Sequence, residues 1–268
     1  MNHSKIKVAV AGARGRMGQE VVKMLLLEEQ FQFVAAIDTK FNGEDIGKFV
    51  GGKELGVPIY TSIEEAFTTK KPDVLVDFTT PQSIYHHMDV ALSHRVRPVV
   101  GTTGLTAEQM DELKKRSSES GVGAIIAPNF AIGAILCMKF ASMAAKYMPH
   151  VEIIELHHDK KLDAPSGTAL KTAELIAEAR TMVSQGHPDE EESIKGARGA
   201  EYNGFRIHSV RLPGMVAHQE VLFGATGQTL SIRHDSINRE SFMPGVNMAI
   251  KAVMNLDRLI YGLEHLID

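Results

Sequence analysis

Ile6-Lys7-Val8-Ala9-Val10-Ala11-Gly12-Ala13-Arg14-Gly15-Arg16-Met17-Gly18 is the stretch that decides the architecture. Its first six residues form a short, unalternating apolar run that reads as a strand buried on both faces, and Met17 to Glu29 carries the periodicity of an amphipathic helix. The glycines therefore stand at a strand-to-helix turn. There, glycine lets backbone N–H groups approach a pyrophosphate, and the helix N-terminus adds roughly half a positive charge. The spacing is G-x-x-G-x-x-G rather than G-x-G-x-x-G, and Arg14 occupies a place where glycine is usual. A tight turn that only packs helix on strand is the alternative reading.

Working outward, the rhythm repeats: FVAAID, then VLVDFT followed by a helix over 84–93, PVVGTT followed by a helix over 107–118, and GAIIAP. Apolar strands separated by amphipathic helices predict a doubly wound parallel sheet with right-handed crossovers, a Rossmann dinucleotide-binding domain. Asp38 ends the second strand, 26 residues after Gly12. Its carboxylate suits the adenosine ribose hydroxyls of NADH, whereas Lys40 offers a cation to the extra phosphate of NADPH, so use of both NADH and NADPH is expected. Thr79-Thr80-Pro81 and Gly101-Thr102-Thr103-Gly104 follow further strands, where ligands of open α/β sheets sit.

Past Pro149 the pattern changes. Residues 132–148 read as a helix, VEIIELHH as a strand, 168–183 as a long helix, 204–235 as antiparallel strands, and 242–266 as a closing helical run. The expectation is an α+β domain, with a mixed, largely antiparallel sheet, over 130–238, inserted into a dinucleotide-binding domain of 1–129 and 239–268. Residues 185–199, rich in Glu, Asp and Gly, read as a mobile surface loop.

Across the 268 residues, 44% hydrophobic and 23% charged content are those of a globular chain. A net charge of -4 offers no basic stripe for nucleic acid. The single cysteine, Cys137, excludes an internal disulfide or a cysteine metal cluster, and a cytoplasmic setting is expected. No export signal precedes Gly12, and the longest apolar run, 122–137, is broken by Pro128, Asn129 and Gly133, so no membrane partner is expected.

The most informative segment is Glu155-Leu156-His157-His158-Asp159-Lys160-Lys161-Leu162-Asp163-Ala164-Pro165-Ser166-Gly167-Thr168-Ala169. Ser166 suits the cap of a helix that Thr168 begins, and Gly167 and Thr168 then offer N–H groups to a carboxylate. His157 and Lys161 supply a titratable base and a fixed charge beside that anion site. Adjacent histidines on a strand face opposite ways, which argues against a metal site. His208, His218 and His234 read as sheet residues, Arg211 and Arg233 as interface candidates, and Met138, Met143 and Met148 as packing.

With GARGRMG, GTTG and Ala127-Pro128-Asn129-Phe130, the pattern HHxxKxDAPSGTA strongly resembles the 4-hydroxy-tetrahydrodipicolinate reductase (dihydrodipicolinate reductase) family over essentially the whole chain. The resemblance implies NAD(P)H-dependent reduction of (2S,4S)-4-hydroxy-2,3,4,5-tetrahydrodipicolinate, with loss of water, to (S)-2,3,4,5-tetrahydrodipicolinate in the diaminopimelate route to lysine. It implies His157 as acid/base, Lys161 as second proton donor, and His158, Gly167 and Thr168 as binders of the cyclic dicarboxylate. For the cofactor it implies Gly12, Ala13, Arg14, Gly15, Arg16, Met17, Asp38, Gly101, Thr102, Thr103, Ala127, Pro128, Asn129 and Phe130, with no metal, and a homotetramer. One departure is Thr39, where members favouring NADPH often carry arginine. The competing readings are a semialdehyde or homoserine type dehydrogenase and a non-catalytic redox sensor. A sensor has no use for His157 and Lys161, and an acylating dehydrogenase needs a reactive cysteine.

Overall fold

A computed structural model describes residues 4–267, which divide into two compact units. The first runs to Phe130 and resumes at Phe242; the second is Ala131–Ser241. These boundaries lie one and three residues beyond those expected from sequence.

In the first unit, β1 (Ile6–Ala11), β2 (Phe31–Ile37), β3 (Ile59–Tyr60), β4 (Val74–Asp77), β5 (Arg97–Val100), β6 (Ala124–Ile126) and β12 (Leu259–Tyr261) form one sheet. Its order is β12-β6-β5-β4-β1-β2-β3, and each pairing is parallel. Val8 to Ala11 are fully buried, as the unalternating run required. The order reverses at β1, which pairs with β2 on one side and β4 on the other. In an open α/β sheet that reversal opens a ligand crevice at the carboxyl ends of the strands.

Helices α1 (Arg16–Leu27), α2 (Ile63–Lys70), α3 (Pro81–Ser93), α4 (Ala107–Ser120) and α7 (Met243–Val253) belong to this unit. The expected closing helix over 242–266 is corrected: α7 stops at Val253, and the chain then adds β12 beside β6. The apolar run Leu259-Ile260-Tyr261 was too short to separate strand from helix by periodicity. The pair β3 and α2 also went unread, although Ser62 caps α2 by accepting from the Glu65 amide.

The second unit packs α5 (Ile132–Ala145) and α6 (Gly167–Ala179) on a five-stranded sheet of β7 (His150–His157), β8 (Ala200–Tyr202), β9 (Phe205–Arg211), β10 (Ala217–Ala225) and β11 (Gln228–Ser236). The order is β11-β10-β7-β9-β8, antiparallel except for the parallel pair β7 and β9. Val151, Ile153, Val221, Phe223, Phe205 and Ile207 face the helices and are buried. Helix α6 is shorter than the expected 168–183: Arg180 turns extended, with its guanidinium 2.8 Å from the Val183 carbonyl. The 185–199 stretch is irregular but tied down, because Gln185 bonds both backbone groups of Val151 and Arg198 reaches Glu190 and Glu152.

Candidate active site

The parallel register explains how distant loops meet in the first unit. Ala11 lies beside Ile37 on one side and Asp77 on the other, Asp77 beside Val100, and Val100 beside Ile126. The segments after these residues, Gly12–Met17, Asp38, Gly101–Thr103 and Ala127–Phe130, therefore leave the same edge of one sheet. Each was a sequence-predicted cofactor position, and the topology gathers all of them.

At Gly12, φ is +73° and a side chain would meet the Phe78 carbonyl. At Gly18, a Cβ would run into the Gly12 oxygen, so the first turn of α1 lies directly on the loop. Gly15 caps α1 without any side-chain bond, leaving the amides of Arg16 and Met17 at the positive end of the helix. The Arg14 side chain instead crosses to Asp38: its Nη2 donates to Oδ1 at 2.8 Å and its backbone N–H to Oδ2 at 3.2 Å. A cleft of about 640 Å³ opens over this edge, lined by Gly12, Arg14, Asp38, Thr39, Phe78, Thr80, Ser83 and His87, among others.

Sequence reasoning missed the support beneath that cleft. Asp77 is fully buried at the end of β4 and accepts from Thr79 through its amide, at 2.9 Å, and its hydroxyl, at 2.6 Å. His87 Nδ1 lies 2.7 Å from the other oxygen, and Thr102 donates from the next strand end at 3.4 Å. An aspartate closing the apolar run Val74-Leu75-Val76 was the available signal. Phe130 is buried with its ring 5.6 Å from that of Phe78, so its side chain is packing for the loop. Lys40 is exposed.

In the second unit, alternation along β7 puts Glu155 and His157 on the helix-facing side. His157 Nδ1 is 2.5 Å from Glu155 Oε2. The parallel register sets Arg211 opposite His157, and its guanidinium grips Glu155 with two bonds of 2.6 and 2.9 Å. Arg211 also donates to the carbonyls of Asp163 and Val210, so its guanidinium is engaged within its own chain. Glu155 has no solvent exposure. Burial pushes its carboxyl up, but bonds from His157, Arg211 and Ser209 more than reverse this and hold it at about 2. An ionised carboxylate can only accept, so His157 Nδ1 carries the proton and Nε2 is the atom left to exchange one.

The loop after β7 brings Lys161 to Asp163, 2.7 Å away, and its amide to the His158 carbonyl at 3.2 Å. Ser166 accepts from the Ala169 amide at 3.2 Å and caps α6, whose first helical residue is Gly167 rather than Thr168. The Ser166 amide donates to Glu155 at 3.3 Å, so one buried carboxylate fixes both the histidine and the start of α6. His158 is exposed beside them. Glu155 could have been found from its spacing of two to His157; Arg211, 56 residues on, could not.

Of the histidines read as sheet residues, His208 bonds Glu152 at 2.7 Å and His218 bonds Asp235 at 2.6 Å. His234 lies against Gly133, and burial lowers its pKa. Cys137 is buried near Gln219, and burial raises its pKa, the opposite of an activated nucleophile. Among the described residues, no three of His, Cys, Asp and Glu converge on a metal centre, and no helix is long and apolar enough to cross a membrane.

Residues 6–130 match the family described as dihydrodipicolinate reductase, N-terminus, and residues 133–267 its C-terminus. The 4-hydroxy-tetrahydrodipicolinate reductase of Halalkalibacterium halodurans is 61% identical over 98% of this chain and all of its own. That of Bacillus subtilis is 58% identical over the full length of both. Among solved structures, a dipicolinate-bound dihydrodipicolinate reductase from Paenisporosarcina sp. TG-14 superposes with a TM-score of 0.90, at 51% identity over 98% of this chain and 100% of its own. An amine dehydrogenase from Mycobacterium smegmatis shares the fold, with a TM-score of 0.68 at 15% identity over 98% of this chain and 96% of its own.

Proposed function

The chain belongs to the dihydrodipicolinate reductase family, and from that premise we propose how its residues divide the work of reducing 4-hydroxy-tetrahydrodipicolinate. The activity is that of an oxidoreductase of lysine biosynthesis drawing on a nicotinamide dinucleotide. A nicotinamide, when bound, would supply a hydride to the ring formed when substrate loses water. The product still needs a proton, and His157 donates it from Nε2, worth ~10² to 10⁴ in rate. Glu155 holds that tautomer and steadies the ring in both protonation states, as a buried carboxylate does behind a catalytic histidine.

Lys161 is the second proton donor and offsets developing negative charge. The α6 amides of Gly167 and Thr168, with His158, hold a substrate carboxylate at the positive end of the helix. The loop Gly12–Met17 takes the pyrophosphate. Asp38 takes the adenosine ribose, and the loops after β5 and β6 contact the ribose and nicotinamide. Both NADH and NADPH are used. A planar pyridine-2,6-dicarboxylate, the ligand named for the Paenisporosarcina enzyme, competes with substrate.

The protein works as a cytoplasmic homotetramer whose partners are small molecules and its own copies. The face of the second sheet away from α5 and α6 supports this, since it presents half-exposed Leu222 amid Glu220–Arg233 and His218–Asp235 ion pairs.

The observation that carries this reading is the Glu155–His157 contact beside the capped start of α6. The test is His157→Gln, followed by loss of nicotinamide absorbance with substrate generated in situ from pyruvate and aspartate semialdehyde. It should lower kcat by ~10² or more while cofactor binding by fluorescence persists. A kcat within about twofold of wild type would overturn the assignment.

A further inference from the structure

In the second sheet β7 lies between β9 and β10. Because β9 runs parallel to β7 and β10 antiparallel to it, the connection from β9 to β10 has to cross the carboxyl end of β7. The register makes that crossing tight. Arg211 on one side and Ala217 on the other both stand opposite His157, so the residues from Leu212 to Val216 span two strand spacings, about 10 Å, just past the histidine. The Leu212 amide donates to the His157 carbonyl at 3.1 Å. A turn closes at Gly214, whose φ is +90°, with the Met215 amide on the Leu212 carbonyl at 3.3 Å.

The far end of this strap is latched by a side chain. The Val216 amide donates to His218 Nε2 at 3.1 Å, and His218 Nδ1 lies 2.6 Å from Asp235 Oδ1 on β11. A backbone N–H can only donate, so Nε2 accepts and Nδ1 carries the hydrogen that Asp235 receives. Asp235 is fixed in turn by Arg233, whose Nε reaches its two oxygens at 3.0 and 3.2 Å, and Arg233 Nη1 by Glu220 at 3.2 Å. The Leu212–Met215 bond already closes the turn, so the latch fixes where the strap sits on the sheet.

We propose that His218 is a positioning residue for proton transfer, holding through the Val216 amide the strap that sets the main chain of His157 and the guanidinium of Arg211. The near end of the strap is Arg211 itself, which grips Glu155, and Glu155 orients His157. With the latch made, Arg211 and Leu212 meet β7 at a fixed register and the His157 ring is presented in one place. With it broken, the strap shifts about its Gly214 turn, and a displacement of about 1 Å at a proton donor is costly in rate. The start of α6 keeps its own cap at Ser166, so substrate binding is spared.

The inference rests on His157 as the proton donor, and the experiment keeps the two apart. Values of kcat and KM are measured on the full-length enzyme for wild type, His157→Gln, His218→Asn and His218→Gln, with urea unfolding of each. Asparagine keeps a donor where Nδ1 stood and has no acceptor within reach of Val216, whereas glutamine places its amide oxygen where Nε2 stood and gives up the Asp235 bond. Each variant removes one bond, so stability falls alike in both. The rates should differ: His218→Asn loses ~5 to 20-fold in kcat with KM within about twofold, and His218→Gln recovers kcat to within about twofold of wild type. Asp235→Ala, which frees the ring to turn away from Val216, gives the same loss in kcat and keeps the test open if His218→Asn does not fold.

Equal kcat values for the two His218 variants overturn the proposal and make the ring a structural tie only. A rise in KM without a fall in kcat does the same. Both results leave His157 as the donor when His157→Gln is inactive. A His157→Gln enzyme that keeps its kcat overturns the reading of the site, and this proposal with it.

Discussion

Replacing Glu155 by Gln keeps the shape of the side chain and removes its charge, which isolates what the buried carboxylate contributes. Its carboxyl is held at about 2 against an ordinary value of 4.5, and at about 1.4 kcal/mol per unit that shift amounts to roughly 3 kcal/mol. A depressed carboxyl pKa stabilises the fold fully above the ordinary carboxylate range, and the contribution is lost as pH falls through it toward about 2. Breaking a buried pair from one side costs about 3 to 5 kcal/mol. Arg211 keeps its bonds to the carbonyls of Asp163 and Val210, so the low end applies. Glu155→Gln should thus be about 3 kcal/mol less stable than wild type near neutrality, with the gap narrowing steadily below the ordinary carboxylate range.

The assay is urea unfolding of both proteins at a series of pH values, read where the denaturant slopes agree. The same variant should lower kcat ~10-fold or more with little change in KM, because His157 loses the anion that orients it while the α6 start remains capped by Ser166. A stability gap that did not vary with pH would show that the carboxylate is not held ionised by His157 and Arg211. A KM effect without a kcat effect would make Glu155 a scaffold for substrate rather than for the histidine.

Gly18→Ala should unseat the glycine loop, since its Cβ would press on the Gly12 carbonyl; dinucleotide affinity should fall at least ~10-fold by fluorescence titration, while the affinity for pyridine-2,6-dicarboxylate, proposed to bind the second unit, should hold. Thr168→Val should weaken inhibition by that dicarboxylate by ~5 to 100-fold in Ki if the hydroxyl bonds a carboxylate; an unchanged Ki would leave the anion to the backbone alone.

The candidate cofactor cleft was legible because a parallel sheet is collinear with its sequence signal. Each strand announces itself as an apolar run, and the residue after each run stands at the carboxyl edge of the sheet by topology. Gly12, Asp38, Gly101 and Ala127 needed only the strand ends to be right, and β2 ends at Ile37, directly before Asp38. What was lost there were residues acting through a side chain across the sheet: Asp77 joining Thr79, His87 and Thr102, and Phe41 and Phe49 under Arg14. The acid/base cluster was legible only where it is local. His157, Lys161, Ser166 and Gly167 follow one another on a strand-to-helix connection, and the cap at Ser166 was readable from residue type. Arg211 belongs to the site only because β9 runs parallel to β7, a register that no short pattern states, and its charge suggested an interface instead.

That contrast bears on why Arg14 stands where a glycine is usual. In the loop from Gly12 to Gly18, the steric demand for glycine falls at Gly12, with its positive φ, and at Gly18, beneath the loop. Position 14 has neither constraint: its backbone is not in the left-handed region, and its side chain leaves the loop toward Asp38. On the proposed reading backbone amides hold the pyrophosphate, which leaves that side chain free to pair with Asp38. At Glu155 no such freedom exists, because one carboxylate meets His157, Arg211 and the Ser166 amide together, and any substitution changes all three at once. Substitutions in the first unit's loop can therefore be read one contact at a time, whereas at Glu155 each one disturbs three.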